Sequence, residues 1–264
     1  MKRKIALLGI PFDDHSSFLR GTAKGPAAIR KSFYSDSSNS WTENNFDLTD
    51  IVEDAGDISG SQEEIFQAIE SKVASLLLND EPVISLGGDH SITYPILKAF
   101  HQKYPRLSIL HFDAHPDLYH DFEGNPFSHA SPFARVMENK LAENLVQLGI
   151  RCANQHQREQ AAKYNVQMVE MRNFKEDMTF SFHTPVYISF DTDGLDPAFA
   201  PGVSHPEGGG LSTRQVVRII QSLKGRVVGA DIVELNPERD ISEITAAACS
   251  KILKEICGRI LEEY

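Results

Sequence analysis

Four short segments concentrate acids and imidazoles: Gly87-Gly88-Asp89-His90-Ser91, Asp113-Ala114-His115-Pro116-Asp117, Asp191-Thr192-Asp193-Gly194-Leu195-Asp196-Pro197 and Glu234-Leu235-Asn236-Pro237. On an extended chain, residues i and i+2 project to the same side. Asp113 therefore faces with His115, and Asp191 with Asp193, while Asp117 continues the first series past a bend at Pro116. So many carboxylates in one place raise one another's pKa or repel unless a cation lies among them. Carboxylates with imidazoles and no thiolate suit Mn²⁺ better than a structural zinc site. Each segment alone has an ordinary reading. An Asp-x-His can cap a strand end, His90 can occupy a turn, acidic turns are common, and Glu234 can be a surface acid. Their joint occurrence points to a metal-dependent site.

The elements that must position them are short apolar runs alternating with amphipathic stretches. Expected strands are Lys4–Ile10, Val83–Leu86, Leu107–Phe112, Leu145–Gly149, Val186–Phe190 and Val227–Val233. Several are apolar throughout, as strands covered on both faces are. Expected helices are Glu63–Leu78, Ile92–Tyr104, Phe133–Glu138, Gln157–Tyr164, Thr213–Leu223 and Ile241–Leu261. In the first, Ile65, Ile69, Val73 and Leu76 form one stripe. Such alternation predicts an α/β fold of three layers, helices on both faces of a mostly parallel sheet, as a single domain over 1–264. Ligands of such sheets bind beyond the carboxyl ends of the strands, where four of the expected strands run into the segments above.

The 264 residues carry 37 acidic and 26 basic side chains, a net charge of −11. That balance disfavours a nucleic-acid binder, which needs a basic surface, and excludes much less about small cationic ligands. No apolar run approaches the length of a membrane span. Met1-Lys2-Arg3-Lys4 and the apolar run after it resemble a signal peptide, but the run is short and meets Asp13-Asp14 without a cleavage site. It reads as a first strand, and a cytoplasmic location is expected. Three cysteines close no disulfide framework; Cys249 and Cys257, eight residues apart on one helix, lie too far apart to pair. The remaining histidines, at 15, 101, 111, 120, 156, 183 and 205, show no pairing and read as surface or core residues.

Segments 87–91, 113–117 and Ser-Phe-Asp-Thr-Asp-Gly-Leu-Asp-Pro at 189–197 resemble the signatures of the ureohydrolase family, which includes arginases, agmatinases, guanidinobutyrases and formiminoglutamases. The stretch Gly21 to Arg30 and Asp231-Ile232-Val233-Glu234 extend the resemblance over the whole chain. Phe122 to Asn125, Ser128 to Arg135, and Gly149-Ile150-Arg151 with Asn154-Gln155 and Arg158-Glu159-Gln160 look most like plant-type arginases and their bacterial relatives. Ala130 stands where the family more often has glycine, which could reshape the pocket mouth.

The resemblance implies two manganese ions sharing a water. His90, Asp113, Asp117 and Asp191 would hold one, and His115, Asp113, Asp191 and Asp193 the other, with Asp113 and Asp191 bridging. It implies hydrolysis of a guanidinium to urea, with L-arginine to L-ornithine favoured slightly over agmatine to putrescine, ahead of other guanidino or formimino substrates. Glu234 would grip the guanidinium, Asp193 would take the proton of the attacking water, and His129 would act as general acid. Asn125, Ser128 and Asn154 are candidate readers of the substrate tail. A homo-oligomer, trimer or hexamer, is implied too. Two other readings stand beside this one. A zinc deacetylase of the same fold would need one metal and no His90. A non-catalytic, metal-stabilised binding protein would be expected to lack ligands, and none is missing.

Overall fold

The computed structural model describes residues 4–60 and 64–262. Met1-Lys2-Arg3 and Glu63, which was expected to open a helix, lie outside the described residues. Eight strands form one sheet: β1 (Ile5–Ile10), β2 (Val52–Asp57), β3 (Val83–Gly87), β4 (Ser108–Phe112), β5 (Asn144–Ile150), β6 (Gln167–Glu170), β7 (Val186–Asp191) and β8 (Val227–Val233). Their order is β2-β1-β3-β8-β7-β4-β5-β6, and every pairing is parallel. All carboxyl ends therefore share one edge. The four strands that lead into the acidic segments, β3, β8, β7 and β4, are contiguous at its centre.

Side-chain alternation splits the core into two layers. Ile5 and Leu7 of β1 face the layer built with α1 (Gly25–Phe33), α6 (Thr213–Ser222) and α7 (Ile244–Leu261). Ala6, Leu8 and Ile10 face α2 (Ile65–Leu77), α3 (Thr93–Lys103), α4 (Pro132–Glu138) and α5 (Gln155–Lys163). The three-layer α/β/α expectation is met. The stripe on α2 is Ile65, Ile69, Val73 and Leu77 rather than Leu76, a strict four-residue spacing that drifts slowly around the helix. Cys249 and Cys257 are both free and buried on α7.

The sequence reading omitted α1, β2 and β6. Pro26 occupies the first turn of α1, where the missing N–H has no intrahelical partner to lose. Edge strand β2 (Val-Glu-Asp-Ala-Gly-Asp) has no apolar alternation; its Asp54 and Asp57 pair instead with Arg30 of α1. Strand β6 is the four-residue opposite edge.

The turn after β3 sets the site's shape. A Cβ on Gly88 would lie 1.9 Å from the Phe12 carbonyl oxygen, which is held by the Asp89 N–H at 2.8 Å. Gly88→Ala is expected to cost about 3 kcal/mol, lowering the melting temperature by roughly 6–12 °C in a thermal scan. A smaller shift would show that the Phe12 backbone can yield.

Candidate metal centre and active site

Beyond the sheet edge the polar residues form three overlapping groups that share Asp113; one is His90, His111 and Asp113, and the other two gather the expected metal ligands. In the first of these two, His90 Nδ1 lies 3.0 Å from Asp117 Oδ2, 3.2 Å from Asp191 Oδ2 and 3.3 Å from Asp113 Oδ2. In the second, His115 Nδ1 lies 3.2 Å from Asp193 Oδ2 and 3.4 Å from Asp113 Oδ1. Each group has its ligand atoms close enough together to surround one metal ion. Asp191 joins only the first group, and its Oδ1 accepts the Asp193 N–H at 2.8 Å. The backbone delivers these groups with local distortion. Asp117 (φ 51°) and Glu234 (φ 62°) both adopt the left-handed region, uncommon without glycine.

The donor set fits a divalent cation. His90 is fully buried and its Nδ1 makes no hydrogen bond, although three carboxylates surround it. Burial, followed by the charges of Asp193 and Asp113, raises the Asp191 carboxyl well above its usual range. Burial opposes a charged His90, yet contacts with Asp113, Asp117 and Asp191 hold it well above its ordinary value. Both shifts express one imbalance, excess negative charge in a buried place, which a metal corrects.

Above the groups opens a cavity of about 180 Å³. Its floor is His115, Asp117, Asp191 and Asp193, and its walls are Ser17, Tyr119, Phe122, Ala130, Cys152, Gln157, His205, His129 and Glu234. No lysine or arginine lines it, so the lining suits a cation. His129 Nδ1 lies 2.9 Å from Glu234 Oε1, and its Nε2 lies 2.8 Å from the Ser17 hydroxyl. Burial alone would depress His129, but Glu234 overcomes it and raises the imidazole to about 9. Glu234 Oε1 also accepts the His90 backbone N–H at 3.0 Å.

All six predicted metal ligands, with His129 and Glu234, are brought together. The three tail candidates are not. Asn125 Oδ1 accepts the Phe127 N–H at 2.9 Å. The Ser128 hydroxyl accepts the Ala130 N–H at 3.3 Å. Asn154 caps α5 by accepting the Gln157 N–H at 3.0 Å, and donates to the Tyr119 hydroxyl at 2.7 Å. None of the three lines the cavity. Conversely, His111 is paired, contrary to the expectation from sequence. It is fully buried, with Nε2 2.9 Å from Asp113 Oδ2 and Nδ1 3.1 Å from Gln147 Nε2. Its position two residues before Asp113 was a usable signal, as was that of Tyr119 two residues after Asp117. Ser17, Gln157 and His205 carried none.

A parallel sheet between helical layers, with carboxylate–imidazole groups able to hold metal under an acidic cavity, is the architecture that the ureohydrolase resemblance leads one to expect. Residues 3–258 match the sequence model of the Arginase family, and the chain belongs to that family. It is a hydrolase acting on carbon–nitrogen bonds of linear amidines. It is 43% identical over 275 residues to a mitochondrial arginase of Medicago truncatula, covering 97% of this chain and 81% of that one. It is 34% identical over 263 residues to an agmatinase of Bacillus cereus, covering 96% and 90%. The solved structure of an arginase from Medicago truncatula superimposes with a TM-score of 0.92 at 41% identity, over 98% of this chain and 87% of that one.

The relatives correct the cytoplasmic expectation. The Medicago truncatula arginase is named mitochondrial, and an Arabidopsis thaliana relative at 42% identity is named chloroplastic/mitochondrial. An organellar address resides in a removable leader. The residues that make the fold keep no record of it, so their composition could not decide location.

Proposed function

We propose that the chain is a manganese-dependent arginase that hydrolyses L-arginine to L-ornithine and urea as a single catalytic unit over 1–264. The observation that carries this reading is the acidic cavity, with Glu234 in its wall above the two ligand groups. Its likeness to plant arginases over nearly its whole length supports arginine as the substrate. His90, Asp113, Asp117 and Asp191 would hold one manganese ion, and Asp113, His115 and Asp193 the other. Manganese there would offset the carboxylates and lower the pKa of water, supplying hydroxide near neutral pH.

The protein's own residues do the rest. Glu234 holds the guanidinium by charge-assisted hydrogen bonds, placing its central carbon above the carboxylates. Asp193 receives the proton of the attacking oxygen. His129 protonates the departing amine; without that proton the tetrahedral intermediate would collapse back to reactants. Ser17, Tyr119 and Gln157, on the cavity wall, would meet the substrate tail, with Asn154 acting through Tyr119 and with Asn125 and Ser128 shaping the loop. Agmatine is the second reading, because no basic side chain in the lining would demand a carboxylate. We also propose assembly into a trimer or hexamer, supported by the exposed Trp41, Leu78, Ile241 and Ile244; light scattering reads it directly.

The test is urea release by the manganese-loaded protein with L-arginine and agmatine at matched concentrations. Arginine is expected to give the larger kcat/KM. A preference for agmatine would move the assignment to agmatinase. Urea from neither, with metal bound, would defeat the reading.

A further inference from the structure

Asp231 lies at the centre of the sheet on β8, fully buried and outside both ligand groups. Its strand register places it beside Ser189 of β7 on one side and Ser85 of β3 on the other. Three hydroxyls converge on its carboxylate. Ser189 donates to Oδ1 at 2.7 Å, while Tyr187 and Thr93 each donate to Oδ2 at 2.9 Å. Burial raises the Asp231 carboxyl, and the hydrogen bonds from Ser189, Thr93 and Tyr187 oppose that shift. Burial also pushes the Tyr187 phenol well above its usual range, keeping it a donor. A carboxylate with three donors is an acceptor at every contact.

The hydrogen-bond direction then propagates. The single hydroxyl proton of Ser189 is committed to Asp231, so Ser189 Oγ can only accept from its other neighbour, His90 Nε2, at 3.1 Å. The ring proton of His90 therefore sits on Nε2. Nδ1 is then the nitrogen that faces Asp113, Asp117 and Asp191, and it would turn its lone pair to a metal held there.

We propose that Asp231, acting through Ser189, is a positioning residue that fixes the tautomer and orientation of His90 and thereby sets the affinity of the one metal position His90 serves. The position built from Asp113, His115 and Asp193 touches this chain of hydrogen bonds only through the shared Asp113, so the larger effect falls on the position that holds His90 itself. The inference rests on the two-ion reading given above. Outer hydrogen-bond partners of metal-ligating histidines commonly govern affinity by about 10- to 100-fold.

The test is a manganese titration of metal-free protein by calorimetry, with electron paramagnetic resonance distinguishing an isolated ion from a coupled pair. Wild-type protein is compared with Asp231→Asn, Ser189→Ala and Thr93→Val. Ser189→Ala, which removes only the link, is decisive if Asp231→Asn fails to fold. In both link variants one of the two affinities is expected to weaken by about 10- to 100-fold while the other holds, and the isolated-ion spectrum should persist at two equivalents. Thr93→Val also deletes a hydrogen bond to Asp231 but does not touch the link. It is expected to lower the melting temperature and leave both affinities in place. Unchanged affinities in Ser189→Ala, or equal weakening in Thr93→Val, overturn the proposal. Fewer than two ions bound by wild-type protein overturns the two-ion reading, and the proposal with it, without reference to any variant.

Discussion

Asp191→Asn is expected to abolish turnover while making the metal-free protein more stable. The loss follows from the position of Asp191 in the first ligand group, 3.2 Å from His90 Nδ1. Metal coordination contributes several kcal/mol of charge stabilisation in such sites, so a fall of about 10³-fold or more, near 4 kcal/mol, is expected. The gain follows from the same geometry without the ion. Burial, with the charges of Asp193 and Asp113 alongside, holds the Asp191 carboxyl well above its ordinary range. Asparagine keeps an oxygen for the Asp193 N–H and removes the charge. The folded state binds the Asp191 proton more tightly than the unfolded chain does, so wild-type metal-free stability falls as pH rises above about 3.8 through the raised folded value. The advantage of asparagine should therefore widen with pH, to about 1 kcal/mol or 2–4 °C in melting temperature. Saturating Mn²⁺ should reverse the order, since wild type gains about 2.7 kcal/mol at a hundredfold excess over Kd. A metal-free variant that melts below wild type across the pH range would mean that shape, not charge, dominates at this position.

His129→Ala is expected to slow turnover by about 10²- to 10⁴-fold, the usual contribution of a general acid, with metal content unchanged. His129 belongs to neither ligand group; its ring nitrogens contact Glu234 and Ser17. Glu234 outweighs burial and lifts His129 to about 9, so the imidazole is charged at neutral pH. A guanidinium arriving at Glu234 brings a like charge beside His129, lowers its pKa and makes it a readier proton donor. The pairing also leaves a stability signature. Because the folded pKa is raised, the contribution is complete below about 6.5 and is lost as pH rises through about 9. The melting temperature of metal-free wild type should fall across that window, and the alanine variant should lack that component. Loss of metal in the variant would instead place His129 among the ligands.

The clustered acids and imidazoles were legible because strand geometry is simple. Alternation put Asp113 with His115 and Asp191 with Asp193, and the apolar runs before them announced buried parallel strands. The same alternation, carried two residues back, would have found His111. What alternation cannot reach are contacts made between distant segments. Ser17 meets His129 across 112 residues, and the loop that brings it there has no periodicity. Asn154 shows the opposite error. Its polarity marked it as a reader of substrate, but both ends of its amide are used within the protein, one capping a helix and one holding Tyr119. The fold itself was missed mainly at its edges. Strand β2 lacks an apolar face because it is solvated and tied to Arg30 by charge.

The strand order has a consequence for how the chain comes into being. Strands β1, β2 and β3 form one wing of the sheet, and β4, β5, β6 and β7 form the other. Within the sheet they are joined only through β8, the last strand in the chain, which slots between β3 and β7. Asp113, His115 and Asp193 all come from the second wing, so their grouping can assemble while the ribosome is still at work. His90 is on the first wing and Glu234 follows the keystone strand, so the remaining ligand group and the grip on substrate come together only after Val233 has emerged. The full cluster thus depends on the closing strand, and a chain cut short before β8 would lack both Glu234 and the strand that joins the two wings.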